Sequence, residues 1–226
     1  MSEKIWTALQ RTSSADLKRR VTVVHALLTD TPRATVAGAE RFAHHNGHGD
    51  SAVWYFTADG RILLITQWHK SELNTYGDHD EADEDFAVQE SYFDGVPADL
   101  VALVRNQPET TESFNISTRL DGSIHSATGV FWFDRVRWRV ADGLVEHCRR
   151  KNVDLYAESG LCCIGSCLLG EEFTPERYFA HHRCADDLDG VEGRGAMDAI
   201  RAAFASVAPH AGPIRRSERC EEVLSD

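Results

Sequence analysis

Leu17, Val21, Val24 and Leu28 recur every three or four positions among polar neighbours, with Ser13 or Ser14 ahead of them to cap the first turn. That spacing predicts an amphipathic helix over residues 14–29, stopped at Thr31-Pro32. Residues 43–51 carry no apolar periodicity and read as a Gly/His-rich loop. The strongest β pattern follows: Ala52–Thr57 and Arg61–Trp68 flank Ala58-Asp59-Gly60, and an Asp-Gly step between β-prone runs predicts a hairpin. The second run is almost continuously apolar, as in a strand covered on both faces.

Residues 69–85 are polar and acidic, residues 86–93 suit a helix, and a second helix is expected from Pro97 to Arg105. Phe114–Thr118 alternates as a strand before a turn at Leu120-Asp121-Gly122-Ser123. Gly129–Phe133 and Val136–Val140 predict another hairpin, with Val136, Trp138 and Val140 on one face and Arg137 and Arg139 on the other. Residues 141–151 read as a helix with Arg149, Arg150 and Lys151 at its C-terminal end, where the helix dipole favours cations. Thr174-Pro175-Glu176 has the cap, first-turn proline and early acid of a helix start. Met197, Ile200, Phe204 and Val207 form a last helical stripe, ended by Pro209.

Hairpins separated by helices, without regular β-α alternation, predict an α+β fold: a mostly antiparallel sheet built from two hairpins and packed with four to six helices. One domain is expected over residues 1–208, with a polar, disordered tail over 209–226.

Composition narrows the function. The 226 residues include 24 basic and 36 acidic side chains, a net charge of −12 that opposes nucleic acid or anionic lipid as the main partner. Twenty of the 24 basic residues are Arg, which suggests a GC-rich bacterial gene. No apolar run is long enough to span a membrane. Met1-Ser2-Glu3-Lys4 leads into polar sequence without the features of a secretory signal, so a cytoplasmic location with reduced cysteines is expected.

Four stretches carry candidate chemistry. His44, His45 and His48, with Asp50 behind them, are metal-type donors within seven residues; the plain reading is a solvated loop. Cys163, Cys167, His182 and Cys184 are donors of the kind that hold structural zinc, although the paired CxxC of a zinc finger is missing; buried core thiols are the alternative. A nucleophilic thiol is a third reading of that cluster, but it needs a base that sequence proximity cannot supply. Trp68-His69-Lys70-Ser71-Glu72 falls at a strand end, where His69 and Glu72 would make an acid/base pair. Finally, six of the eight residues from Asp78 to Asp85 are carboxylic acids. Asp78, Asp80, Glu81, Asp83, Glu84 and Asp85 either form a solvated helix entry or a docking face for a basic protein. The aromatic residues of the hairpins read mainly as core, with some available on a sheet face as anchors. Phosphate-loop and dinucleotide patterns are absent; the glycines of Gly190–Gly195 follow no clear strand.

Two functions are consistent with this sequence. One is an acidic protein-binding module, of the kind that neutralises a basic toxin or nuclease. The other is a His- or metal-dependent enzyme acting on a small molecule, with zinc among the metals that such donors hold and the cofactor otherwise unknown.

Overall fold

The computed structural model describes residues 2–28, 33–45, 48–76, 82–118, 122–164, 168–169, 172–186 and 191–207. The expected tail, the Thr31-Pro32 stop and half of the Leu120–Ser123 turn lie outside the described residues.

A six-stranded sheet forms the centre, in the order β1-β2-β3-β4-β7-β8, antiparallel throughout. Its strands are β1 (Ala34–Val36), β2 (Ala39–His45), β3 (Ser51–Phe56), β4 (Ile62–Gln67), β7 (Gly129–Phe133) and β8 (Trp138–Val140). β5 (Asn115–Ser117) and β6 (Ser123–His125) form a separate two-stranded hairpin. The fold is α+β. Six helices of ten residues or more are described: α1 (Ser2–Arg11), α2 (Ser14–Leu28), α3 (Ala82–Ser91), α5 (Asp142–Lys151), α7 (Pro175–Asp186) and α8 (Val191–Ser206). Two four-residue helices, α4 (Ala98–Val101) and α6 (Leu155–Glu158), and a 3-10 turn at Leu161–Ile164 join them.

The sheet is covered on both sides, and alternation along each strand decides what goes where. Phe42, Trp54, Phe56, Leu64 and Phe131 face one core with α1, α2, α7 and α8. Val53, Tyr55, Leu63, Ile65 and Val130 face a second core with α3, α4, α5 and the small hairpin. Every residue of β3 and β4 is therefore buried, and the near-continuous apolar run of β4 has the cause its sequence implied. The Asp-Gly hairpin is present: Gly60 N–H donates to Thr57 O at 3.1 Å, and Arg61 ties Asp59 to Asp99 across the turn.

The helix starts also match their signals. The Ser13 hydroxyl accepts from Asp16 N–H at 3.2 Å, and the Thr174 hydroxyl accepts from Arg177 N–H at 3.2 Å. In the last turn of α5 the chain leaves through Asn152 in the left-handed region, behind Arg149, Arg150 and Lys151.

Three readings are corrected. The loop expected over residues 43–51 is strand as far as His45, because His44 and His45 pair with Ala52 and Ser51 in the β2–β3 ladder. The Pro97–Arg105 helix is cut to the single turn Ala98–Val101. Val136 does not share the inward face of Trp138. It sits in a turn whose Asp134 carboxylate accepts the N–H groups of Val136 and Arg137, and it is 86% exposed. The aromatic residues of the central strands are mainly core, as their pattern implied: Trp54, Tyr55, Phe56, Phe131 and Trp138 are buried, and Trp68, Trp132 and Phe133 are partly covered. Two elements carried no recognisable sequence signal, helix α1 and the β1–β2 hairpin. α1 packs Trp6 against Phe131 and Tyr156, with ring centroids at 5.5 and 6.1 Å.

Candidate functional site

Antiparallel order brings the C-terminal end of β2, the N-terminal end of β3 and the C-terminal end of β4 to one edge of the sheet. His45, Ser51 and Gln67 are successive partners across it. The chain around Ser159–Ile164 docks on this edge through polar contacts. The Ser71 hydroxyl donates to Glu158 O at 2.7 Å and the Thr66 hydroxyl to Ser159 O at 2.5 Å. His44 Nε2–H donates to Cys163 O at 3.0 Å, and the Cys163 thiol donates to Gln67 O at 3.4 Å. Gly160 makes the approach possible. Its φ is +69°, and a Cβ there would lie 2.8 Å from Thr128 Oγ1.

This docking gathers residues from three separate stretches. Asp50 Oδ1 accepts from His69 Nδ1 at 2.6 Å and from His69 N–H at 3.1 Å, so one carboxylate oxygen fixes both the ring and its backbone. Asp50 is largely buried and His69 is 39% exposed. Cys162 lies at the surface and Cys163 is half-buried. The two thiols interact: a hydrogen bond from Cys163 lowers the pKa of Cys162 to about 7, against the opposing charge of Asp50. The same hydrogen bond, with burial, drives the Cys163 pKa up. The single proton of the Cys163 thiol is directed at Gln67 O. Of the two thiols, Cys162 is the more acidic.

The expected residues are placed as follows. The carboxylate on His69 is that of Asp50; Glu72 is exposed and its N–H donates to Glu158 Oε2 at 2.9 Å. His44 and His45, adjacent on a strand, point to opposite faces of the sheet, which splits the imidazole group; His48 is exposed on the following turn. Among the described residues no three His, Cys, Asp or Glu side chains gather as a metal shell. Cys167 lies outside the described residues, and His182 and Cys184 belong to α7 without described side chains, so only Cys163 of that set is located. Asp78, Asp80 and Glu81 also lie outside the described residues. Asp83, Glu84 and Asp85 fall in the first turn of α3, where acids meet the positive end of the helix dipole; Glu84 is exposed and Asp85 partly covered.

A second polar centre lies beneath the sheet, and none of its members had been singled out. Arg41 Nη2 donates to the Thr110 and Ser113 hydroxyls at 3.2 and 3.0 Å, and Glu112 lies 3.8 Å away. Tyr55 OH and His125 Nδ1 are 3.3 Å apart. Burial, assisted by the charge of Arg41, lowers the His125 pKa to about 4. His125 Nε2 is buried without a hydrogen-bond partner. Strand alternation puts Arg41 and Tyr55 on one face, but a lone Arg and a lone Tyr in β-prone runs carry no distinguishing pattern.

Compared with known proteins, the chain matches no family model, no curated protein and no solved structure. No described helix is long and apolar enough to cross a membrane.

Proposed function

We propose that the chain is an acidic protein-binding module that captures a basic protein, in the manner of an immunity or antitoxin protein. One observation carries this reading: the chain has a net charge of −12, and ten of its 24 cations are already paired with acids of the same chain. Lys18, Arg19, Arg20, Arg41, Arg61, Arg105, Arg139, Arg149, Arg177 and Arg201 each form an ion pair with an acid of the same chain. The surplus carboxylates need cations from elsewhere. An uncompensated anionic field raises the encounter rate with a cationic partner and weakens as salt screens it. The segment from Asp78 to Asp85 is the densest part of that surplus in the sequence.

The test uses a basic protein captured by the full chain and then purified, with association followed by stopped flow over a salt series. Replacing Asp78, Asp80, Glu81, Asp83, Glu84 and Asp85 by their amides is expected to slow association at least tenfold at low salt, within the range steering provides. The same change should flatten the salt dependence. An unchanged rate removes the proposal.

A second reading, a His-dependent enzyme acting on a small molecule, is favoured by the Asp50–His69 contact, which fixes the tautomer and the orientation of the ring. Zinc or iron at one equivalent in the purified protein, removable by chelator, would support a metal-assisted form of it.

A further inference from the structure

We propose that two copies of the chain pair through the β7–β8 turn, each copy seating Arg135, Val136 and Arg137 in the acid-edged groove between α3 and α4 of the other. This surface does not use the acids from Asp78 to Asp85, so its test is separate from that of the docking reading.

Two features of the turn have no cause within one copy. Asp134 N–H donates to Arg137 O at 3.1 Å, which leaves Arg135 and Val136 as the central residues. Arg135 takes φ +80°, at the position where such a turn normally carries glycine because a Cβ is strained there. Strain kept at one exposed residue points to a contact made outside the fold. Val136 beside it is 86% exposed. The turn is nevertheless held firmly: the Asp134 carboxylate accepts from Val136 N–H at 2.9 Å, Arg137 N–H at 2.8 Å and Arg139 Nε at 2.7 Å. Arg135 and Arg137 are exposed, and among the described residues neither forms an ion pair. The result is a rigid knob, an aliphatic tip between two uncompensated guanidinium groups.

Its complement lies nearby. An open groove of about 530 Å³ runs between α3 and α4, with Phe93, Val96 and Val101 as its apolar lining and Glu90, Asp94 and Arg105 as its charged lining. Arg105 is paired with Glu90, which leaves Asp94. Asp142 joins it, because its carboxylate stands against the place a Cβ would take on Gly95 of the same groove. Both aspartates are exposed and, among the described residues, form no ion pair. Two uncompensated carboxylates therefore edge the groove, as two uncompensated cations flank the tip. Short contacts connect the two features. Arg135 Cγ lies 3.8 Å from the place a Cβ would take on Gly60, and the adjacent Arg61 donates to Asp99 of α4 at 3.0 Å. A knob beside its own complement suits a two-fold contact, in which each copy fills the other; placed at opposite ends, the same features would build an open chain. The net charge of −12 opposes the approach of two copies. Salt screens that spread repulsion more than it screens pairs in contact.

The test is sedimentation equilibrium of the full chain at about 0.15 M salt, over about 5–500 μM protein, the range in which small interfaces associate. A species of twice the chain mass is expected at the top of the range. Arg137→Asp and Asp94→Arg should each weaken pairing about tenfold, by setting like charges against each other. An equimolar mixture of these two variants should pair again, since one contact is then native and the other has both charges reversed. A variant that had merely misfolded would not recover. Arg135→Gly separates strain from contact: it should raise the melting temperature of the dilute monomer and still weaken pairing. A chain that stays monomeric overturns the proposal, as do species larger than two copies, or pairing that all three substitutions leave intact. Pelleting of a monomeric chain with anionic vesicles, lost in Val136→Asp, would assign the knob to a lipid surface and overturn it too.

Discussion

His125 shows how one buried side chain sets the response of the molecule to acid. Desolvation, with Arg41 nearby, holds its folded-state pKa near 4, below the ordinary value of 6.5. The unfolded chain therefore binds a proton at pH values where the folded chain does not. The neutral ring's contribution is fully present above pH 6.5 and is lost as pH falls toward 4. Between pH 7 and pH 4.5 this group alone should cost about 2 kcal/mol of stability. His125→Gln should make the loss over that range smaller by that amount in urea titrations, even where it lowers stability at pH 7. An unchanged slope would place the acid sensitivity elsewhere. Gly160 is a second single-residue control. Gly160→Ala puts a Cβ against Thr128 Oγ1 at an unfavourable φ, and a loss of about 1–3 kcal/mol is expected by thermal melts.

At the scale of elements, what the sequence disclosed follows from how local each signal is. The β3–β4 hairpin was legible because Asp59-Gly60 is a strong turn pair flanked by β-prone runs, and the α2, α5 and α7 ends because caps and dipole charges are local. The β1–β2 hairpin was not legible. Its turn places Ala37 and Gly38 at φ 46° and 83°, the double left-handed geometry that Asn-Gly normally supplies and Ala-Gly does not advertise. Ala37→Asn should therefore stabilise the chain, by about 0.5–1 kcal/mol, measured as an increased urea midpoint with unchanged slope. A decrease would mean that this turn is not the geometry the chain uses. The candidate site was legible only in parts. His69, His44 and Cys163 each stood out by type, and Asp50 was visible behind the histidines. Their juxtaposition depends on contacts spanning 19, 96 and 119 residues. Register and docking set such contacts, and no short window of sequence contains them. The pairing of His69 with Glu72 followed from their closeness along the chain; across the sheet edge it is Asp50 that reaches the ring.

For the whole molecule, charge and packing make opposite demands. Two apolar cores on either side of one sheet hold the chain together, while a net charge of −12 spreads repulsion over a folded surface that brings the acids closer than the unfolded chain does. The internal ion pairs act the other way, but most of their partners are substantially exposed. Pairs of that kind contribute roughly 0–1 kcal/mol each, with many near zero. Salt screens both the pairs and the general repulsion, since the Debye length falls to about 10 Å at 0.1 M. With twelve charges in excess and weak pairs, the relief of repulsion should win. Raising sodium chloride from 10 to 300 mM is expected to increase the melting temperature by about 2–4 °C, equivalent to about 1 kcal/mol for a chain of this size. A fall over the same range would show that the Arg–carboxylate pairs hold more of the stability than their exposure implies. The net charge of −12 would remain, but its self-repulsion would then cost the fold less than the ion pairs contribute.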